Sequence, residues 1–119
     1  MQHSNEFLEI VNDAKSRVKE INVKQAQERI NTGAIMIDVR EDNEWNAGHV
    51  KGALHLGRGV IERDIINTIP QKATELILYC GGGFRSALSA DNLQKMGYTN
   101  VLSMNGGWKA WNDEGGAIE

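Results

Sequence analysis

Two short, almost continuously apolar runs, AIMIDV (residues 34–39) and ELILYC (75–80), constrain the fold of this chain more than any other feature. Such a run is expected of a strand that is buried on both faces, as in parallel sheets covered by helices. Two further segments, GALHL (52–56) and NVLSM (100–104), are also predicted to be strands. Segments of helical character separate the four strands, and this alternation predicts an α/β domain with a parallel sheet and helices on both faces.

Helices are predicted from the spacing of apolar residues and from residues that favour helix ends. Near the start of the chain, Phe7, Val11, Ala14 and Val18 recur at helical spacing, which predicts an amphipathic helix. The sequence leaves open whether this helix covers the sheet or mediates dimerisation. A capping-box pattern at Asn22 and Gln25 begins the next helix, and Gly33 ends it. The remaining predicted helices span residues 41–49, 59–66, 84–97 and 107–114.

The composition excludes several classes of protein. With 119 residues, 40% of them hydrophobic and 24% charged, the chain is expected to form one globular domain. The net charge of −3 and the lack of a basic run argue against nucleic-acid binding. No apolar stretch has the length of a membrane span and no signal peptide is recognisable, so we expect no membrane association and a cytoplasmic location. A single cysteine cannot form an internal disulfide, which is typical of a reducing compartment.

That cysteine, Cys80, ends the second apolar run and is followed by Gly81, Gly82 and Gly83, directly before a predicted helix. In open α/β sheets, ligands bind beyond the carboxyl ends of the strands. A helix N-terminus at this position offers unpaired N–H groups to an anion, and glycines let the backbone turn several N–H groups toward one point. Such surroundings stabilise a thiolate, so the pattern predicts a nucleophilic cysteine rather than a packing residue.

Two other functions of this glycine loop fit the residues less well. The stretch GGGFRS (81–86) nearly matches the dinucleotide-binding pattern G-x-G-x-x-G, but Ser86 replaces the third glycine and no acidic residue ends a following strand at the expected distance. A Walker-type phosphate loop requires Gly-Lys followed by Ser or Thr, which this chain lacks. Three histidines and one cysteine at these spacings predict no metal site.

Three stretches of the chain are more specific than any single motif: DVREDNEWNAGHVKGALHL (38–56), YCGGGFRSALSADNLQKMGYTNV (79–101) and GGWKAWNDEGG (106–116). Together they resemble the rhodanese-like sulfurtransferases in their small single-domain form. The resemblance implies a three-layer fold, with a central five-stranded parallel sheet flanked by helices. It assigns residues 21–119 to the rhodanese-like domain, and leaves residues 1–20 as an extra N-terminal helical extension.

The resemblance also implies an activity. Sulfane sulfur would move from thiosulfate, or a similar small anionic donor, through a persulfide on Cys80 to cyanide or a thiol acceptor, with no metal or organic cofactor. A nucleophilic thiolate in a cradle of N–H groups is compatible with this chemistry. An alternative stays open, in which the Cys80 persulfide serves a sulfur-carrier or sensor module that sulfur-relay protein partners load and unload.

The length of the loop separates sulfur transfer from phosphate chemistry. Phosphatases that resemble this superfamily have the longer loop pattern Cys-x5-Arg, since a wider loop must surround a tetrahedral phosphate. Here only four residues separate Cys80 from Arg85, and position 86 is serine, so the shorter loop predicts sulfur transfer.

Roles can be assigned to the residues around Cys80, which is the expected catalytic residue. Arg85, at the start of a helix, is expected to bind the sulfonate of thiosulfate, while Arg58 is equally consistent with anion binding and with a structural role. Asp38 and Arg40 match the Asp-x-Arg of the family and are expected mainly to form an ion pair that fixes neighbouring loops. His49 is expected to anchor a loop by hydrogen bonding. The expected substrate-binding residues are Gly81, Gly82, Gly83, Phe84, Arg85, Ser86 and Arg58.

Overall fold

Six helices and five strands alternate along residues 2–119, the part of the chain that the computed structural model describes. After residue 21, this alternation is the one expected from the residue pattern. The helices are α1 (Asn5–Lys15), α2 (Val23–Asn31), α3 (Asp42–Ala47), α4 (Ile61–Thr68), α5 (Phe84–Lys95) and α6 (Gly107–Asp113), and the strands are β1 (Lys19–Ile21), β2 (Ile35–Asp38), β3 (Leu54–His55), β4 (Leu76–Tyr79) and β5 (Val101–Met104).

The five strands form one parallel sheet in the order β1-β5-β4-β2-β3. Strand β4 lies in the middle and every one of its residues is buried. Its side chains alternate between two hydrophobic clusters: Leu76 and Leu78 belong to one, and Ile77 and Tyr79 to the other. The predicted α/β fold with a central five-stranded parallel sheet is therefore confirmed.

The helices cover both faces of this sheet. Helices α4 and α5 contribute buried residues to the cluster on one face, and α2 and α6 to the cluster on the other. Helix α1 lies outside these layers and packs on α5, where Val11 and Ala14 contact Leu88. Arg17, just after α1, holds the Asp91 carboxylate of α5 with hydrogen bonds of 2.9 and 2.8 Å. The first helix is thus fixed to a second helix of the same chain.

Strand β1 is the main element that the residue pattern did not predict. The first helix was expected to continue to residue 19, but it ends at Lys15 with Ser16 as its C-cap, and Lys19 already pairs with Leu102 of β5. A three-residue edge strand with one buried side chain, Ile21, is too short to show an alternating pattern. Its hydrogen bonds come from a strand far along the chain, so the neighbouring residues do not indicate it either. The strand also crosses the domain boundary that we expected between residues 20 and 21.

Other local predictions hold with smaller changes at the ends. Asn22 and Gln25 form the expected capping box, in which the Gln25 N–H donates to Asn22 Oδ1 at 2.8 Å and the Asn22 N–H to Gln25 Oε1 at 2.9 Å. The strand expected over residues 52–56 is reduced to Leu54–His55. Within residues 2–119, no helix has the length and apolar character needed to cross a membrane.

Candidate active site

The candidate site lies where the central strand ends. Strand β4 stops at Tyr79, Cys80 follows, and α5 begins four residues later at Phe84. Because β4 is flanked by β2 and β5, the loop after it lies at the middle of the carboxyl edge of the sheet, where the sequence placed it.

The Cys80 thiol is almost completely buried, with only 1% of the residue exposed. Its Sγ accepts hydrogen bonds from the N–H groups of Gly83 at 3.1 Å and Ser86 at 3.4 Å. Gly83 has a φ of +105°, a conformation that side chains rarely adopt, and this orientation turns its N–H toward the sulfur. The Ser86 hydroxyl lies 3.6 Å from Sγ and shares a 2.8 Å hydrogen bond with the Ser103 hydroxyl. These groups can hold negative charge on the sulfur.

The start of α6 is hydrogen-bonded to the backbone of the same loop. The Trp108 N–H donates to the Cys80 carbonyl at 2.7 Å, and the Lys109 N–H to the Gly81 carbonyl at 3.2 Å. Gly107 makes this approach possible, since a Cβ there would overlap the Cys80 carbonyl oxygen and its φ is +54°. The first turn of α6 therefore fixes the backbone that carries the thiol.

Arg85 lines the cavity at the loop mouth as one half of an ion pair and not as a free cation. Its Nη1 and Nη2 donate to the two carboxylate oxygens of Glu44, on α3, at 2.8 and 3.2 Å. The Arg85 guanidinium lowers the pKa of the Glu44 carboxyl from its usual value. We expected Arg85 to serve as a cation for the substrate, and the structure shows that a neighbouring carboxylate already compensates much of its charge.

Arg58 is the second cation of the site. It lies on the wall of the cavity that contains Cys80, and its Nε is buried without a hydrogen-bond partner within the described part of the chain. A guanidinium on the wall of the same cavity as the thiol, with no ion pair to a carboxylate of the described residues, can attract and bind an anion.

The cavity beside Cys80 has a volume of about 730 Å³. Gly82, Phe84 and Arg85 line it from the cysteine loop and the start of α5, Glu41 lines it from the loop after β2, and Arg58 from the loop after β3. His3 and Phe7, from the N-terminal part of the chain, complete the lining together with Gly59. These two N-terminal residues were not among the expected site residues.

Asp38 and Arg40 form a buried ion pair beneath the site. Arg40 Nη2 donates to Asp38 Oδ2 at 2.8 Å and to the Gly48 carbonyl at 2.7 Å. The Tyr79 hydroxyl donates to the same carboxylate oxygen at 2.6 Å, and burial together with this hydrogen bond raises the pKa of Tyr79. The network joins the ends of β2 and β4 to the loop after α3. It does not line the cavity, so we interpret it as structural support.

His49 likewise lies outside the cavity lining. Its ring stacks on Trp45 with the centroids 3.4 Å apart, and its Nδ1 is 3.1 Å from the Trp45 carbonyl oxygen. This geometry fits a loop anchor. Within residues 2–119, no three His, Cys, Asp or Glu side chains converge into a group that could bind a metal.

Several residues of the site were not found from the sequence. Glu44 and Ser103 come close to the loop only through packing of distant segments, and no local pattern could have indicated them. Gly107 did have a signal, because it lies in the GGWKAWNDEGG stretch, although no role was assigned to it.

Two solved structures share the fold of this chain. A protein of unknown function from Rhodopseudomonas palustris CGA009, described as a possible tyrosine phosphatase, is 26% identical and superposes with a TM-score of 0.84 over 100% of this chain and 98% of its own. The polysulfide-sulfur transferase homodimer from Wolinella succinogenes, at 24% identity, shares the fold with a TM-score of 0.81 over 95% of this chain and 86% of its own.

Curated relatives are closer in sequence. Thiosulfate sulfurtransferase GlpE from Pseudomonas entomophila (strain L48) is 33% identical over 96 residues, which are 81% of this chain and 86% of that protein. The GlpE protein of Haemophilus influenzae (strain PittEE) is 34% identical over 93 residues, covering 78% and 87% of the two chains. Residues 22–114 match the family described as the Rhodanese-like domain. With the parallel sheet and the cysteine loop described above, this match shows that the chain belongs to the rhodanese-like domain family.

Proposed function

We propose that this protein is a thiosulfate sulfurtransferase that carries sulfur as a persulfide on Cys80. One observation carries the proposal: the buried Cys80 Sγ accepts two backbone N–H hydrogen bonds and lines a cavity that also contains Arg58, whose Nε has no partner among the described residues. The relatives named thiosulfate sulfurtransferase support the same reaction.

In the first half-reaction, the Cys80 thiolate attacks the outer sulfur of thiosulfate. The new Sγ–S bond forms while the S–S bond of thiosulfate breaks, and its electron pair leaves with sulfite. Arg58 holds the sulfonate oxygens, and Arg85, oriented by Glu44, presents its remaining N–H donors at the same mouth. The N–H groups of Gly83 and Ser86 then stabilise charge on the bound sulfur.

In the second half-reaction, cyanide or a thiol attacks the outer sulfur of the persulfide. A bond from the acceptor to that sulfur forms, the Sγ–S bond breaks, and the electron pair returns to Cys80 as the thiolate. Both steps transfer a neutral sulfur atom, so no external oxidant or reductant is needed. The cycle requires one nucleophile and its hydrogen-bond donors.

Intact mass spectrometry tests this proposal directly. Thiosulfate should add one sulfur atom to the native protein, cyanide should remove it with formation of thiocyanate, and Cys80→Ser should do neither. A serine variant that still transfers sulfur at the native rate would refute the mechanism. If a cysteine desulfurase loads Cys80 rapidly while thiosulfate loads it hardly at all, the protein is instead the sulfur-carrier or sensor module.

The relation to a possible tyrosine phosphatase makes phosphate esters a necessary control. Only four residues separate Cys80 from Arg85, and within the described residues Sγ receives two backbone N–H groups. A phosphoryl group bound there would have oxygens without donors at a desolvated site, which is costly. The native protein should hydrolyse p-nitrophenyl phosphate no faster than Cys80→Ser, and Cys80-dependent hydrolysis as fast as sulfur transfer would overturn the assignment.

A further inference from the structure

The N-terminal segment, which lies outside the family match, contributes an aromatic wall to the Cys80 cavity. His3 and Phe7 line the cavity together with Phe84 of the cysteine loop. The His3 ring centroid is 5.0 Å from that of Phe7 and 4.9 Å from that of Phe84, and the two phenyl centroids are 6.2 Å apart. We call these three residues the aromatic cluster.

The aromatic cluster is held in place by the packing of α1. The Ser4 hydroxyl accepts the Phe7 N–H at 3.1 Å as the helix cap. Val11 and Ala14 are buried against α5, so the position of the helix is determined by its core contacts. Lys15 Nζ lies 4.9 Å from the Phe84 ring centroid and adds a cation–π contact to the cluster.

The size and lining of the cavity do not match the inorganic substrates alone. Thiosulfate and cyanide carry no apolar group, whereas the cavity of about 730 Å³ is within the range of about 300–1,000 Å³ that is typical of sites for small organic ligands. Aromatic side chains that line such a cavity fix the apolar part of a ligand.

We propose that the aromatic cluster selects the sulfur acceptor, and that this acceptor is a small organic thiol with an aryl or alkyl group. The proposal rests on the sulfur transfer proposed above. The apolar group packs on His3, Phe7 and Phe84 while the thiolate sulfur attacks the outer sulfur of the Cys80 persulfide. The acceptor–sulfur bond forms as the Sγ–S bond breaks, and the electron pair of that bond returns to Cys80 as the thiolate. The proton that the acceptor thiol released is taken up by the transferred outer sulfur, which becomes the terminal S–H of the new small-molecule persulfide. A small acceptor suits the site because Cys80 is only 1% exposed inside the cavity, out of reach of most cysteines on a folded protein.

The test compares two thiols as acceptors for the persulfide. Protein loaded with thiosulfate and freed of excess donor is mixed with benzyl mercaptan or with 2-mercaptoethanol, and the loss of one sulfur atom is followed by quenched-flow mass spectrometry. Benzyl mercaptan should discharge the native persulfide about tenfold faster, since apolar groups in such pockets give discrimination of about 10–200-fold. Phe7→Ala should bring this ratio close to one. Ile10→Ala is the matched control, because Ile10 lies on the same helix with 53% of the residue exposed and does not line the cavity.

The ratio of the two discharge rates separates selection by the aromatic cluster from a general loss of structure. If Phe7→Ala only loosened α1, both thiols would change alike and the ratio would stay at the native value, which would refute the proposal. If Phe7→Ala cannot be loaded, His3→Ala carries the same test, because His3 is exposed and contributes to no core cluster. A native ratio near one would also refute it. Failure of thiosulfate to load the native protein, or of cyanide to discharge it, would instead disprove the proposed function.

Discussion

Arg58→Gln is the variant that most directly tests how the donor is bound. Glutamine is shorter than arginine but keeps N–H donors, and it removes the positive charge. In the structure Arg58 has a buried Nε without a partner among the described residues, whereas Arg85 is paired with Glu44. We therefore expect Arg58 to supply the net charge that attracts the sulfonate of thiosulfate.

The magnitude follows from the loss of one charge-assisted contact. Such a contact contributes about 1.5–3 kcal/mol. Since about 1.4 kcal/mol corresponds to a factor of ten, kcat/KM for thiosulfate should fall about tenfold to a hundredfold. Removing both charges of the other pair, with Glu44→Gln and Arg85→Gln combined, leaves the net charge of the site unchanged and should cost less than Arg58→Gln alone. Increasing ionic strength should weaken thiosulfate turnover by the native protein more than by Arg58→Gln.

Steady-state formation of thiocyanate from thiosulfate and cyanide is the assay. The loss should appear as a higher KM for thiosulfate, while discharge of the preformed persulfide by cyanide measures the second half-reaction separately. Arg63→Gln is the matched control, since this residue is highly exposed on α4 and paired with its neighbour Asp64. The reasoning is refuted if Arg58→Gln retains the native kcat/KM, or if it loses no more than the Arg63 control.

Three further predictions concern the framework of the site. Gly107→Ala should lower the free energy of unfolding by at least about 2 kcal/mol, because its Cβ would overlap the backbone of the cysteine loop, and unchanged thermal unfolding would contradict this packing. Asp38→Asn should cost about 3–5 kcal/mol in chemical denaturation, because it leaves the buried Arg40 guanidinium without its counter-charge; a loss below about 1 kcal/mol would show that the pair is dispensable. Hydrogen bonds from Arg17 lower the pKa of Asp91 below its ordinary value of 3.8, so this carboxylate stabilises the fold above that pH, and the contribution falls as the pH drops from 3.8 through the lowered value. The stability difference between native protein and Asp91→Asn should accordingly be constant near neutral pH and shrink in that acid range, and denaturation curves that stay equally separated down to the lowest pH would disprove the linkage.

Local features of the chain were enough to predict the fold class and four of the five strands that the described residues form. The apolar runs at 34–39 and 75–80 are strands buried on both faces, because side chains of central parallel strands have no solvent side to alternate with. The Asn22 capping box forms as expected, since its hydrogen bonds join residues three apart in the chain. The position of Cys80 after the central strand also follows from local sequence, since the apolar run and the glycines adjoin it.

Contacts between distant segments were decided only by the tertiary structure. Strand β1 exists because β5, about eighty residues later, supplies its hydrogen bonds, and nothing within the three residues encodes that partner. Whether a cation is free or paired depends in the same way on packing: Glu44 compensates Arg85 from 41 positions away, while Arg58 meets no partner within the described residues. His3 and Phe7 join Phe84 in the aromatic cluster because α1 packs on α5, next to the cysteine loop. A sequence pattern records the hydrogen bonding and burial of one segment, whereas the charge balance and the shape of a cavity are properties of the surfaces that several segments bring together.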